Sequence, residues 1–143
     1  MTNTMFTYRD VDPQSISDVQ TLFKRLASRS YSISHRRLPS FEDHHLFVSS
    51  HPYRFWKLIL TDRCIGSYYV THSNSVGVDI DEDFYGLIDV VFADICGSHS
   101  ALPPIKSIRG AKFHINVSSR NSILCSMLQQ KGFVEIQRTF ALD

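Results

Sequence analysis

The chain is poor in residues that staple a fold: 143 residues contain three cysteines, one tryptophan, six glycines and five prolines. Cys64, Cys96 and Cys125 are odd in number, widely spaced and never in a CxxC pair, which argues for reduced thiols and against a disulfide frame or zinc site. Charge of one sign is also missing. Fifteen Lys+Arg stand against 14 Asp+Glu, a formal net charge of +1, so there is no basic field for nucleic acid and no acidic tail. No apolar run approaches the roughly 18 residues of a membrane span, and Met1-Thr2-Asn3-Thr4 lacks the features of a signal peptide. A cytoplasmic protein is expected. Repeats, low-complexity tracts, linkers, a G-x-S-x-G elbow, a Walker A loop and G-x-G-x-x-G are all absent. What is present, 43% hydrophobic residues, suffices for one domain over 1–143 with a sizeable core.

Hydrophobic spacing predicts the elements. Residues 5–9 alternate as a short strand, and Asp12-Pro13 reads as a helix start with Asp12 as N-cap. Ile16, Val19, Leu22, Phe23 and Leu26 then draw one helical stripe. Ser40 caps a short second helix with Glu42 and Asp43 in its first turn. Past His51-Pro52, strands over 55–60, 65–71 and 75–80 are joined by connections short enough for an antiparallel meander. A helix over 86–96 stopping at Gly97, a strand over 107–117, a helix over 120–131 ended by Gly132 and a last strand over 133–140 complete the chain. The order β-α-α-β-β-β-α-β-α-β is that of a mixed α+β domain, with some parallel pairing in its second half.

Three stretches carry a family likeness: Ile65-Gly66-Ser67-Tyr68-Tyr69, Ser75 through Gly86, and Asn116-Val117-Ser118-Ser119-Arg120-Asn121-Ser122 followed by Gln130-Lys131-Gly132-Phe133. With the element order, they resemble the GNAT (Gcn5-related N-acetyltransferase) superfamily over nearly the whole chain. The resemblance implies splayed fourth and fifth strands, acetyl-CoA as co-substrate without a metal, and direct acyl transfer to a primary amine. It implies pantetheine beside Val78, Ile80 and Asp81, and the pyrophosphate at a helix start that includes Gly86, Leu87 and Ile88. Asn116 and Asn121 would flank the cofactor, and a backbone N–H near Val78 would polarise the thioester carbonyl.

The sequence departs from the family in two places. Of the usual Gln/Arg-x-x-Gly-x-Gly/Ala loop only Gly86 survives, amid Asp81, Glu82, Asp83 and Asp89. Leu128 stands where many members carry the tyrosine that protonates the thiolate. A GNAT-fold module that binds a CoA derivative or partner protein without turnover is therefore the alternative.

Asp79 alternates with Val78 and Ile80, and on a cleft face it would accept the ammonium proton. His51 is the other candidate base, with Tyr53 and Arg54 beside it to hold a polar acceptor, although His51-Pro52 also reads as a rigid turn. The acceptor class expected is a small molecule, such as an amino sugar or sugar nucleotide. Partners in the form of nucleic acid or membrane are not expected, and monomer and homodimer both stay open. His44 and His45 point to different helix faces and make no metal set. His114 reads as structural, and the His35-Arg36-Arg37 cluster as a solvated loop or phosphate contact. Phe6, Phe23, Phe47, Trp56, Phe92, Phe113 and Phe133 read as core.

Overall fold

The computed structural model describes residues 6–29 and 38–142, so His35-Arg36-Arg37 lies outside the described residues. Five strands form one sheet in sequence order: β1 (Thr7–Asp10), β2 (Phe55–Leu60), β3 (Cys64–Val70), β4 (Ser75–Ile80) and β5 (His114–Asn116). Neighbours from β1 to β4 run antiparallel. The crossover after β4 makes β5 parallel to it. The helices are α1 (Ile16–Ser28), α2 (Phe41–Ser49), α3 (Ile88–Ser98) and α4 (Ser122–Gln130). The mixed α+β architecture and the meander are those the spacing predicts.

Leu58 of β2 is buried with Val19 and Leu22 of α1 and Val48 of α2. Its neighbour Ile59 joins a second cluster with Val70, Val76, and Val91 and Ile95 of α3. A smaller cluster sets Ile88 against Leu124 and Leu128, which anchors α4 to the start of α3. Each such side chain contributes about 1.5–3 kcal/mol by leaving water. The fully buried core is almost wholly aliphatic. Of the phenylalanines expected inside, Phe6, Phe23, Phe92, Phe113 and Phe133 are only partly buried and Phe47 is exposed, its ring meeting Tyr53 and Trp56 edge-on at 5.9 Å.

Four local expectations need correction. Asp12 does not cap α1: its carboxylate takes the Gln14 N–H in a turn, and Ser15 Oγ accepts from Asp18 N–H at 3.2 Å instead. Gly97 does not stop α3, which continues to Ser98, because no left-handed residue is needed there. The strand over 107–117 shrinks to His114–Asn116; Ile105 and Arg109 bridge each other, and Ser107 at φ 64° turns the loop between them. Residues 133–140 join no ladder among the described residues; Phe133 is half-buried and 134–140 lie exposed. By contrast, Ser40 Oγ caps α2 and Gly132, at φ 93°, ends α4 as expected.

Candidate functional site

The hydrogen-bond parity of β4 creates the site. Ser75 O accepts from Thr71 N–H at 3.0 Å, and Asp81 N–H donates to Ile65 O at 2.9 Å. Odd-numbered residues thus turn their backbone groups toward β3, and Val78 and Ile80 turn theirs toward β5. The parallel ladder on that side ends at Gly77↔Asn116. Beyond it the strands part, and among the described residues no strand lies opposite Val78 C=O and Ile80 N–H.

Beside this parting lies a cavity of about 110 Å³ whose walls include Tyr53, Trp56, Tyr69, Asp79, Asn116 and Arg29. A shallower depression over 104–110 is formed by one loop and is separate from these residues. The Tyr53 and Tyr69 rings stack with centroids 4.1 Å apart. Tyr69 lies across Gly77, where an added Cβ would come within 2.1 Å of the ring. Burial, and for Tyr53 also Tyr69, pushes both phenols up against a smaller opposing pull from Arg29. Both are therefore neutral near pH 7 and able to donate hydrogen bonds.

Asp79 faces the cleft and is paired. Arg25 Nε of α1 meets Asp79 Oδ2 at 2.7 Å and its Nη2 meets Asp81 Oδ1 at 3.0 Å, while Arg63 holds Asp81 Oδ2 at 2.8 Å. Burial raises the Asp81 carboxyl, but Arg63 and Arg25 outweigh it and hold the group below its usual range. The guanidinium engages one Asp79 oxygen, Oδ2, and Asp79 is among the residues that line the cleft. Gly66 is required at the same place, since a Cβ there would lie 2.2 Å from Asp79 O.

The other expected residues scatter. His51 is not among the residues lining the cleft. Its Nδ1 accepts from Tyr53 N–H at 3.2 Å, which in the neutral ring puts the proton on Nε2. Burial lowers its pKa, favouring that neutral form. The geometry therefore suits the rigid-turn reading of His51 better than proton uptake. Arg54 Nη1 donates to Ser100 O and its guanidinium sits 5.0 Å over the Phe55 ring, away from the cleft. Asn116 is exposed at the notch. Asn121 caps α4 through Leu124 N–H at 3.1 Å and donates to Tyr85 Oη at 3.0 Å. His114 is half-buried on β5 and does not line the cleft.

The expected diphosphate loop is a 3-10 turn, Glu82–Leu87, running straight into α3. Phe84 N–H is bonded to Asp81 O at 2.9 Å, and Ile88 N–H to Tyr85 O. The Ile88 side chain is fully buried. Those N–H groups do not fan outward, and Glu82 and Asp83 stand in the first turn. The open β4 edge fits a pantetheine arm, but the α3 start does not fit a diphosphate in the family's usual manner. Gly86 alone leaves room, since a Cβ there would meet nothing within 4 Å.

Three participants escape sequence reading. Arg25, Tyr69 and His44 enter the site only through tertiary placement: Arg25 from α1, Tyr69 by cross-strand register with Gly77, and His44 from buried α2. A polar Arg25 beside Leu22 and Leu26 on the inner stripe was the one available signal.

Compared with protein-family models and with curated proteins, the sequence matches none. Solved structures do match. A possible acetyltransferase from Clostridium difficile 630 is 12% identical, with 96% of each chain covered and a TM-score of 0.58. A domain from Methanocaldococcus jannaschii DSM 2661 is 14% identical, with 96% of this chain and 93% of that one covered and a TM-score of 0.65. No described helix is long and apolar enough to cross a membrane, and no cluster of metal-ligating side chains occurs among the described residues. With its antiparallel meander, its crossover and its parting β4 and β5, the chain shares the mixed α+β, GNAT-like fold of these structures.

Proposed function

We propose that the protein is an N-acetyltransferase that moves an acetyl group from acetyl-CoA to a primary amine of a small molecule in the cytoplasm. The observation that carries this reading is the open edge of β4 beside an aromatic-walled cleft holding Asp79. Val78 C=O and Ile80 N–H would hold the pantetheine amides as an added strand does, with Asn116 on the other side and Asp81 at the strand's end. A backbone N–H near Val78 would polarise the thioester carbonyl. The adenosine diphosphate would pass over Gly86, near Leu87 and Ile88, with little grip from the α3 start.

In the cleft, Tyr53 and Tyr69 would bracket the acceptor while Asp79 Oδ1 takes a hydrogen bond from its ammonium. Loss of that proton toward Asp79 and solvent frees the nitrogen lone pair. The nitrogen–carbonyl bond then forms, the carbon–sulfur bond breaks, the thiolate departs, and the nitrogen gives up its remaining extra proton to solvent to leave the neutral amide. Leu128 is buried and supplies no proton, and a thiol of ordinary acidity, about 8.5, leaves adequately as its anion. Arg25 would be a positioning residue that fixes the Asp79 rotamer. An amino sugar or sugar nucleotide remains the acceptor class favoured by polar recognition in this cleft.

Thiol release from acetyl-CoA in the presence of an amine panel tests the reading. Turnover with one amine class, lowered about 100-fold in Asp79→Asn, is expected. Tight acetyl-CoA binding with no turnover for any amine would favour the non-catalytic module, the reading that the closed 3-10 turn and Leu128 support.

A further inference from the structure

Helix α1 brings a second guanidinium to the cleft. Leu22, Leu26 and Arg29 line it at steps of four and three residues, the stripe of one helix face, and Arg25 lies on the same stripe. Arg29 follows the last helical residue, Ser28, but its φ of −73° is still helical. Its Cβ therefore leaves the backbone one turn beyond that of Arg25, about 6 Å away. Burial raises the Tyr53 and Tyr69 phenols and the Arg29 charge pulls both the other way, which puts the guanidinium within electrostatic reach of the stacked rings.

The charges here are unequal. Arg25 and Arg63 between them engage Asp79 and Asp81, guanidinium against carboxylate, and neither cation is left over. Arg29 has no carboxylate partner among the described residues and is the one permanent cation among those lining the cleft. An acceptor entering as a simple ammonium would add a further unmatched positive charge near the first, and like charges at that range repel. The Tyr53 and Tyr69 hydroxyls are neutral and, among the described residues, unpaired, so they add hydrogen-bond donors beside Arg29. The cleft thus offers a carboxylate, Asp79, for the amine and a group of unmatched donors for something negative.

We propose that the acceptor amine carries an anionic group, a carboxylate or a phosphate, and that Arg29 with the Tyr53 and Tyr69 hydroxyls binds that group while the amine faces Asp79. The assignment rests on the acetyltransferase reading of the cleft and narrows its acceptor class. A neutral amino sugar leaves Arg29 without a counter-charge, whereas an amino acid or a phosphorylated amino sugar supplies one from the same molecule. A guanidinium can bond either anion through two parallel N–H groups, and the aromatic walls lower the dielectric in which the pair forms.

Calorimetric titration of the protein in excess CoA with two matched pairs, alanine against alaninamide and glucosamine-6-phosphate against glucosamine, tests this. At least one anionic member is expected to bind about tenfold more tightly than its neutral partner, and the pair that shows it separates carboxylate from phosphate. Arg29→Gln should erase the difference by weakening the anionic member, and Arg29→Lys, which keeps the charge without the fork, should restore part of it. The Arg29 side chain is exposed, so both variants are expected to keep the wild-type circular dichroism. Raising salt from about 50 to about 500 mM should narrow the gap. Equal or tighter binding of the neutral member in both pairs, no binding of any of the four at about 10 mM, or a preference that Arg29→Gln leaves intact would overturn the proposal. Binding is read without turnover, so the two readings fail separately. Thiol release with neutral amines alone keeps the transferase and overturns the Arg29 assignment, whereas Arg29-dependent binding without thiol release for any amine keeps the anion site and overturns the transferase.

Discussion

Replacing Arg25 by methionine keeps the stem packed in α1 and deletes the guanidinium that joins α1 to the end of β4. The side chains of Arg25 and Asp79 are each only 15% exposed, and Arg25 holds Asp79 at 2.7 Å and Asp81 at 3.0 Å. Exposed pairs contribute about 0–1 kcal/mol, whereas stranding one partner of a fully buried pair costs about 3–5 kcal/mol. A partly buried fork with two short contacts falls between, at about 2 kcal/mol. Asp81 retains Arg63, so the penalty falls on Asp79. For a domain of this length, that loss lowers Tm by about 4–8 °C. Urea unfolding of wild type, Arg25→Met, Asp79→Asn and the double variant measures it as a cycle. The double variant, with no carboxylate left stranded, should recover about 1 kcal/mol of the single variant's loss. A drop below about 0.5 kcal/mol, within the range of an exposed pair, or strictly additive losses, would refute the view that this pair is a coupled strut of the cleft.

Gly77→Ala should destabilise by about 1–3 kcal/mol in urea unfolding, because the new methyl displaces Tyr69 from its stack on Tyr53; an unchanged midpoint would contradict the packing. Asn121→Ala removes the α4 cap and the Tyr85 contact together and should lower stability by about 1–2 kcal/mol. Acid should weaken the fold in two stages. Burial lowers the His51 pKa, and burial followed by the charges of Lys57 and Arg54 lowers that of His99, so the unfolded chain takes up protons first as pH falls through about 6.5. Arg9 hydrogen bonding lowers Asp18, and Arg63 and Arg25 lower Asp81 against burial; the stability these groups contribute is present above about pH 4 and lost as pH falls through their depressed values. Urea midpoints at several pH values should therefore fall monotonically toward acid, and a rise between neutral and mildly acidic pH would contradict the histidine assignment.

Local chemistry made much of the fold legible. Ser40, Asn74 at φ 65°, and Gly132 mark caps and turns that depend on adjacent residues, and the meander followed from connections of three or four residues. The errors came where tertiary context decides. The Asp12-Pro13 signal lost to Ser15 because the chain makes an Asx turn first, and Gly97 was absorbed into α3. The alternation of 133–140 predicts a last strand, but among the described residues the segment finds no pairing partner and forms none. At the site, Asp79, Val78, Asn116 and Tyr53 are gathered at one cleft, while Arg54 and Asn121 serve packing and capping. Arg25 and Tyr69 were missed because an ion pair spanning 54 residues and a ring lying over a glycine on the next strand depend on register, which composition does not encode.

The most direct measurement is calorimetric titration of the protein with acetyl-CoA and with acetyl-pantetheine, with ADP as control. If the open edge of β4 holds the donor and the α3 start contributes little, acetyl-CoA should bind at micromolar affinity, acetyl-pantetheine within about tenfold of it, a difference of about 1.4 kcal/mol, and ADP far more weakly. ADP binding as tightly as acetyl-CoA, or no binding of either thioester at millimolar concentration, would contradict the assignment of the cleft as an acyl-donor site.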